Sequence, residues 1–170
     1  IFSPFVSRIV KRFGKKEAVT FGSAVCALAY VLMLVLPITP DGRGLSLYVL
    51  CQVIAMLGGG IGSCLRWALM ADGGGYNGGV FGVREEGTTY ALHSFFRKLA
   101  QGIGPSLGLV LATKLGYDAS LKAAQTIEVA TRMRYLVPVM YLGSYIVMII
   151  AYGVVFNLDK KTLAQMESDL

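Results

Sequence analysis

Tyr135–Leu158 reads YLVPVMYLGSYIVMIIAYGVVFNL, with no Asp, Glu, Lys or Arg anywhere along it. A helix rises about 1.5 Å per residue and a bilayer's hydrocarbon core is about 30 Å thick, so about 20 apolar residues in a row cross it. This stretch has that length with residues to spare. Working outward, Ala18–Leu36 is a second uncharged run, closed by Pro37 and the broken segment Thr39-Pro40-Asp41-Gly42. Leu45–Leu65 is a third, continuing past Arg66 to Met70. Gly87–Thr113 also has spanning length, although Arg97 and Lys98 lie well inside it. The expected architecture is therefore an all-α membrane protein with spans at 18–37, 45–70, 87–114 and 135–158. Loops at 8–17 and 72–86 and a tail at 159–170 complete the chain, and Ile1–Val6 reads as the end of a preceding helix.

Composition agrees. Of 170 residues, 55% are hydrophobic and 15% charged, where soluble domains carry about 25% charged residues. A small soluble domain has too much surface for so few charges. The net charge of +6 does not point to nucleic acid, because Lys and Arg gather in the short loops of an apolar chain, as the cytoplasmic loops of membrane proteins require. Arg8, Lys11, Arg12, Lys15 and Lys16 share one such loop, which the positive-inside rule places in the cytoplasm. Alternation then puts 72–86 and the tail on the same side. Ile38–Gly44 and Gly116–Arg134 fall outside.

Cys26, Cys51 and Cys64 all fall in apolar stretches without a C-x-x-C pair, so they read as small packing residues and imply no metal. The chain opens on Ile-Phe-Ser-Pro without an initiator Met or a signal-peptide pattern, and the expectation is that a longer protein precedes it. Gly58-Gly59-Gly60 and Gly62 sit mid-span. Small residues let lipid-embedded helices approach closely, so packing is expected there, with a hinge as the alternative. Gly73–Gly82 reads as a flexible connector and lacks the G-x-x-x-x-G-K-[ST] pattern of a phosphate loop.

Chemistry concentrates in the span 87–114. Tyr90, Ser94, Arg97, Lys98 and Gln101 recur at spacings of three and four, which gathers most of them on one helical face, with His93 beside it. Lys98 lies about 16 Å along a helix entering near Gly87. A charge at that depth costs about 3 kcal/mol or more unless it meets a partner or water. Neighbouring residues point about 100° apart, so Arg97 and Lys98 need different surroundings. One reading has both bracing the bundle through acids; the other gives them a solute or ion route. Arg66 and Trp67 read as an interfacial anchor, with stacking on a substrate as the alternative. His93, lacking a second ligand nearby, reads as a packing residue. No Ser-His-Asp arrangement, H-E-x-x-H helix or paired carboxylates occur, so the reading is not an enzyme.

The stretch Ala71-Asp72, Tyr76, Gly82, Arg84, Glu86-Gly87, Tyr90, Ser94-Phe95-Phe96-Arg97-Lys98 and Gln101 resembles a signature of the glycoside–pentoside–hexuronide:cation symporters. These form the melibiose-carrier branch of the major facilitator superfamily. Their motif runs A-D-x-x-D-Y-G-E-W-K-T-G-x-R-x-E-G, followed by Y-S-x-x-S-F-x-R-K-x-x-Q. The basic segment from Pro4 to Lys16 is similar to the loop after that fold's eighth helix, and Leu115-Gly116-Tyr117 to the turn after its eleventh. The resemblance implies the major facilitator fold, with this chain as a C-terminal bundle fragment holding helices nine to twelve and the end of helix eight.

It further implies a sugar site at the bilayer midplane between two six-helix halves, and symport driven by Na⁺ or H⁺ without any other cofactor. On that resemblance Lys98 falls on an eleventh-helix lysine near sugar and cation. Arg97, Gln101, Ser94, Tyr90 and His93 complete the substrate and cation site, while Asp72, Arg84 and Arg12 form a cytoplasmic gate. Implied partners are the sugar or glycoside, the lipid bilayer and the N-terminal six-helix half, and no nucleic acid. The implied location is the inner (plasma) membrane of a bacterial cell, crossed several times. The sequence departs from the motif where Gly75 replaces the second Asp and Asn77-Gly78-Gly79-Val80-Phe81 replaces Gly-Glu-Trp-Lys-Thr, which touches the gate and leaves the midplane alone. Alternatives are a facilitator of another small organic solute and a non-transporting sensor or scaffold on the same fold.

Overall fold

The computed structural model describes residues 3–38, 42–81, 86–122 and 124–156. Among these residues every regular element is helical: α1 (Ser3–Phe13), α2 (Lys15–Val35), α3 (Gly42–Phe81), α4 (Glu86–Lys114), a 3₁₀ turn at Ala119–Leu121, α5 (Ile127–Ile150) and a π turn at Ala151–Val155. α2 lies between α3 and α5 and packs along both, whereas α4 rests against α3.

Several boundaries differ from the hydropathy reading, each for a local reason. The segment 8–17 is not an open loop. α1 runs to Phe13 and α2 begins at Lys15, with a break of one residue at Gly14. Gly14 has φ 106°, a left-handed conformation that side chains resist and glycine adopts freely. α2 stops at Leu36, whose backbone is extended, because the following Pro37 excludes the helical region for the residue before it. The expected connector 72–86 is also corrected: α3 continues as helix to Phe81. Glycine weakens a helix by about 1 kcal/mol without forbidding it. Proline kinks or breaks a helix at greater cost, and none lies between Pro40 and Pro105.

α5 begins eight positions before the expected Tyr135. The Thr126 side chain accepts from the Val129 backbone N–H at 3.4 Å, and Arg132 pairs with Glu128 one turn earlier at 2.6 Å. A cap and an i,i+4 ion pair sustain polar helix beyond the apolar run. The last two residues of the expected fourth span, 157–158, and the tail 159–170 lie outside the described residues. Three helical stretches, Lys15–Val35, Arg43–Gly74 and Ile127–Val155, are both long and apolar enough to cross a bilayer. α4 has 29 residues, about 43 Å of helix, but its charges keep it from being apolar enough.

Two buried clusters flank a tight crossing. One joins Val6, Ala18, Val19, Ile61, Leu65 and Leu69 at the α1 end. The other joins Ala29, Tyr30, Met33, Ile38, Cys51 and Ala55 at the far end. Between them α2 and α3 meet at Gly22 and Gly58. A Cβ on Gly22 would stand 2.7 Å from the Gly58 carbonyl oxygen, and one on Gly58 would stand 2.6 Å from the Gly22 oxygen and 2.8 Å from Cys26 Sγ. Cys26 in turn donates to the Ala55 carbonyl at 3.1 Å. Part of the glycine run is thus a packing contact, since only hydrogen fits between those backbones.

Candidate functional site

The site forms where α4 leans on α3. Ser63, Arg66 and Trp67 recur at positions i, i+3 and i+4 of α3, so they share a face. Across from them stand Tyr90, His93, Phe96 and Arg97 of α4. The Trp67 ring is the contact surface. Tyr90 stacks on it with centroids 6.1 Å apart and planes 18° from parallel. His93 meets it edge-on at 5.3 Å, and the Arg97 guanidinium lies 6.0 Å from its centroid, within cation–π range. Ser63, Arg66, Trp67, His93, Phe96 and Arg97, all exposed except the half-buried His93, line an open cleft of about 480 Å³, within the usual size range of small-molecule sites.

The polar groups of α3 are held by their own helix. Arg66 Nε donates to the Gly62 carbonyl at 3.3 Å, and Ser63 Oγ to that of Gly60 at 3.0 Å. Among the described residues no carboxylate lines the cavity. Its charge character is set by the two guanidiniums.

The structure therefore brings together Tyr90, His93 and Arg97 of the sequence-expected site. Ser94, Lys98 and Gln101 are exposed and do not line this cavity. Helical geometry accounts for the split: at about 100° per residue, Lys98 points about 100° away from Arg97, and the wall facing Trp67 is centred between Tyr90, Arg97 and His93. Pro105 lies four residues beyond Gln101 inside α4 and, lacking an N–H, leaves the Gln101 carbonyl without its helical donor.

Trp67 turns onto α4, beyond what the interfacial-anchor reading anticipated. Its spacing from Ser63 was the available signal. Ser63 was not singled out from sequence, and Phe96 entered only as part of the signature stretch with no role given to it, since single hydroxyl and phenyl groups in apolar spans carry little pattern.

Of the expected gate residues, Asp72 is engaged by Lys15, whose Nζ lies 2.7 Å from one carboxylate oxygen and 2.8 Å from the other. Arg12 is exposed and lies 5.5 Å from the Phe13 ring centroid without reaching Asp72. Arg84 lies outside the described residues. The end of the bundle opposite α1 has a brace that sequence gave no hint of: Arg134 Nη1 donates to the Ile38 carbonyl at 2.8 Å, and its Nη2 donates to that of Leu36.

Residues 1–160 match the family model described as MFS/sugar transport protein. A glucuronide carrier protein homolog of Escherichia coli is 34% identical over 132 residues, covering 78% of this chain and 28% of the relative. A putative 2,3-dihydroxypropane-1-sulfonate exporter of Salmonella typhimurium is 28% identical over 162 residues, or 95% of this chain and 34% of the relative. An uncharacterized symporter of Bacillus subtilis is 29% identical over 167 residues, or 98% of this chain and 35% of the relative. The chain spans about a third of the length of these curated relatives. No solved structure matches it. The family match covers nearly the whole chain, whose regular elements among the described residues are all helices, three of them long and apolar enough to cross a bilayer. The chain belongs to the MFS sugar-transport family, of the glycoside–pentoside–hexuronide symporter kind.

Proposed function

We propose that the chain forms part of a secondary active transporter that carries a sugar or glycoside in symport with Na⁺ or H⁺ by alternating access. The observation that carries this reading is the cavity between α3 and α4. An indole face there can stack on a pyranose ring, and guanidinium donors can reach its oxygens. The glucuronide named in one relative supports a sugar-sized, oxygen-rich solute. The exposed α4 residues Ser94, Lys98 and Gln101 are the surface that an N-terminal six-helix half of the same protein would cover, closing a site at the interface of two bundles. The coupling cation is the only cofactor the reading needs. A bacterial inner membrane fits the relatives' sources.

The test is uptake of a panel of glycosides by the full-length protein in proteoliposomes, with a Na⁺ gradient, a proton gradient or neither. Accumulation that depends on one gradient is the expected result. Downhill flux indifferent to both gradients would indicate a facilitator, and binding without flux a sensor; either would overturn symport.

A further inference from the structure

α1 and α2 part at Gly14, and a groove of about 490 Å³ lies between them, lined by Ile9, Phe13, Glu17, Ala18 and Phe21. Phe13 and Phe21 are 57% and 61% exposed on its walls. α2 is long and apolar enough to cross a bilayer from Lys15 onward. The groove therefore starts where a span meets the membrane surface and reaches Phe21 about 9 Å along that span.

α1 supplies charge at the rim. Val6, Ile9, Val10 and Phe13 fall on one side of this helix, and Arg8, Lys11 and Arg12 on the other. The two edges of the basic side serve different grooves. Arg12 projects about 60° from Ile9 around the helix, and its guanidinium lies 5.5 Å from the Phe13 ring centroid, within cation–π range. Arg8 is exposed one turn before Arg12 and shares its face. Lys11 instead lines a separate groove with Val6, Val10, Cys64 and Leu65, and Lys15 is engaged by Asp72. Lys16 precedes Glu17 in the chain, and Glu17 is the one acid lining the α1–α2 groove.

We infer that this groove is a binding site for an anionic phospholipid, its phosphate held by Arg12 and Arg8 and an acyl chain lying along Phe13 and Phe21. Charge complementarity decides the occupant. A basic cluster at the membrane surface attracts anionic headgroups, and a guanidinium presents paired N–H groups to phosphate oxygens. A phospholipid carries anion and apolar chain on one molecule, which matches a groove with guanidiniums at its rim and aromatic rings along its length. Glu17 opposes the anion and limits the affinity. The site lies apart from the α3–α4 cleft and stands whatever solute that cleft takes.

The test titrates the full-length protein in detergent with dioleoyl phosphatidylglycerol, phosphatidylethanolamine or phosphatidylcholine and counts bound lipid by native mass spectrometry. Phosphatidylglycerol should bind about fivefold or more tightly than the other two. Arg12→Gln should weaken it about fivefold, the effect of one basic residue at a membrane surface, and Arg12→Lys should keep most of the preference. Adding Arg8→Gln should weaken it further, whereas Glu17→Gln should strengthen it. Lys11→Gln removes the same charge from the other edge of α1 and should change binding far less. Glycerophosphoglycerol, the headgroup without acyl chains, should not compete at the concentrations where the lipid binds.

Equal binding of the three lipids overturns the inference. So does a loss with Lys11→Gln as large as with Arg12→Gln in folded proteins, which would show diffuse attraction without a site. A preference for phosphatidylethanolamine that Glu17→Gln abolishes overturns it in favour of a zwitterionic lipid. Competition by the free headgroup overturns it too, leaving a phosphate site in which the apolar groove takes no part.

Discussion

The Lys15 ammonium lies 2.7 Å from one oxygen of the Asp72 carboxylate and 2.8 Å from the other, tying the first turn of α2 to α3 at residues 57 apart in sequence. Both side chains are partly shielded, at 32% and 17% exposed, so water screens the pair less than it would a surface bridge. Because α2 and α3 also pack along each other between the two buried clusters, the pair joins helices within one bundle. A gate between bundles would need a partner on the other half. Asp72 thus braces α3 against α2 within this chain.

That assignment has a direct consequence. Lys15→Met or Asp72→Asn should each lower thermal stability in detergent by about 1–2 kcal/mol, since each leaves the other charge without its partner. The exchanged pair Lys15→Asp with Asp72→Lys should recover part of the loss. Differential scanning fluorimetry of the purified protein checks this. A swap no more stable than either single variant would show that the pair contributes through helix-end electrostatics alone.

The Gly22–Gly58 crossing separates glycines that pack from those that do not. Gly22→Ala or Gly58→Ala would bring a methyl group within 2.7 Å and 2.6 Å of backbone oxygen, which neither helix can yield without sliding. The expected loss is about 1–3 kcal/mol, the usual penalty for overpacking. Gly60 has nothing within 4 Å of its added Cβ, so Gly60→Ala should be neutral or slightly stabilising. Unfolding midpoints of the three variants, measured side by side, decide it.

The turn between α4 and α5 carries its own pH dependence. Asp118 Oδ1 accepts from the Ser120 backbone N–H at 2.8 Å and from the Ser120 hydroxyl at 2.7 Å. These bonds hold its carboxyl below the usual range, the hydroxyl contributing first. A carboxyl depressed in the folded state stabilises the turn above its ordinary pKa and loses that contribution as pH falls through the folded value. Carboxyl titration followed by NMR should show Asp118 titrating at lower pH than an unstructured Asp. Ser120→Ala should move it back up, and an unchanged titration would remove the hydroxyl as the cause.

Much of this architecture was legible because apolar run length is a direct readout of bilayer thickness. Ala18–Leu36 and Tyr135–Leu158 could scarcely be anything but spans. What lay hidden was helix outside the hydrocarbon. Gly14 breaks the basic segment at a single residue, the Thr126 cap starts α5 well before Tyr135, and α3 runs on through glycines that composition marks as loop. None of these leaves a hydropathy signal. At the site, periodicity grouped Tyr90 with Arg97 but could not tell which side of that stripe meets α3. That side is decided by Trp67, a residue on another helix, and pair contacts of that kind are invisible to a single-helix pattern.

The last prediction concerns Lys98, which is exposed on α4 and has neither a hydrogen bond nor an ion pair among the described residues. Its position is about 18 Å from the start of the helix at Glu86. An ammonium at that depth in a bilayer must face water, a solute or acids from outside this bundle. We propose the last, with the coupling cation competing for the same acids, so that ion and sugar occupancy are linked electrostatically. In the full-length protein, Lys98→Ala should then abolish gradient-driven accumulation while the amount of folded protein stays near normal. Lys98→Arg should rescue poorly, because a planar guanidinium does not substitute for a compact ammonium. A purely structural Lys98 would behave differently: the alanine variant would fold in lower yield, and the folded fraction would transport normally. Uptake normalised to folded protein separates the two, and full coupled uptake by the alanine variant would remove Lys98 from the coupling mechanism.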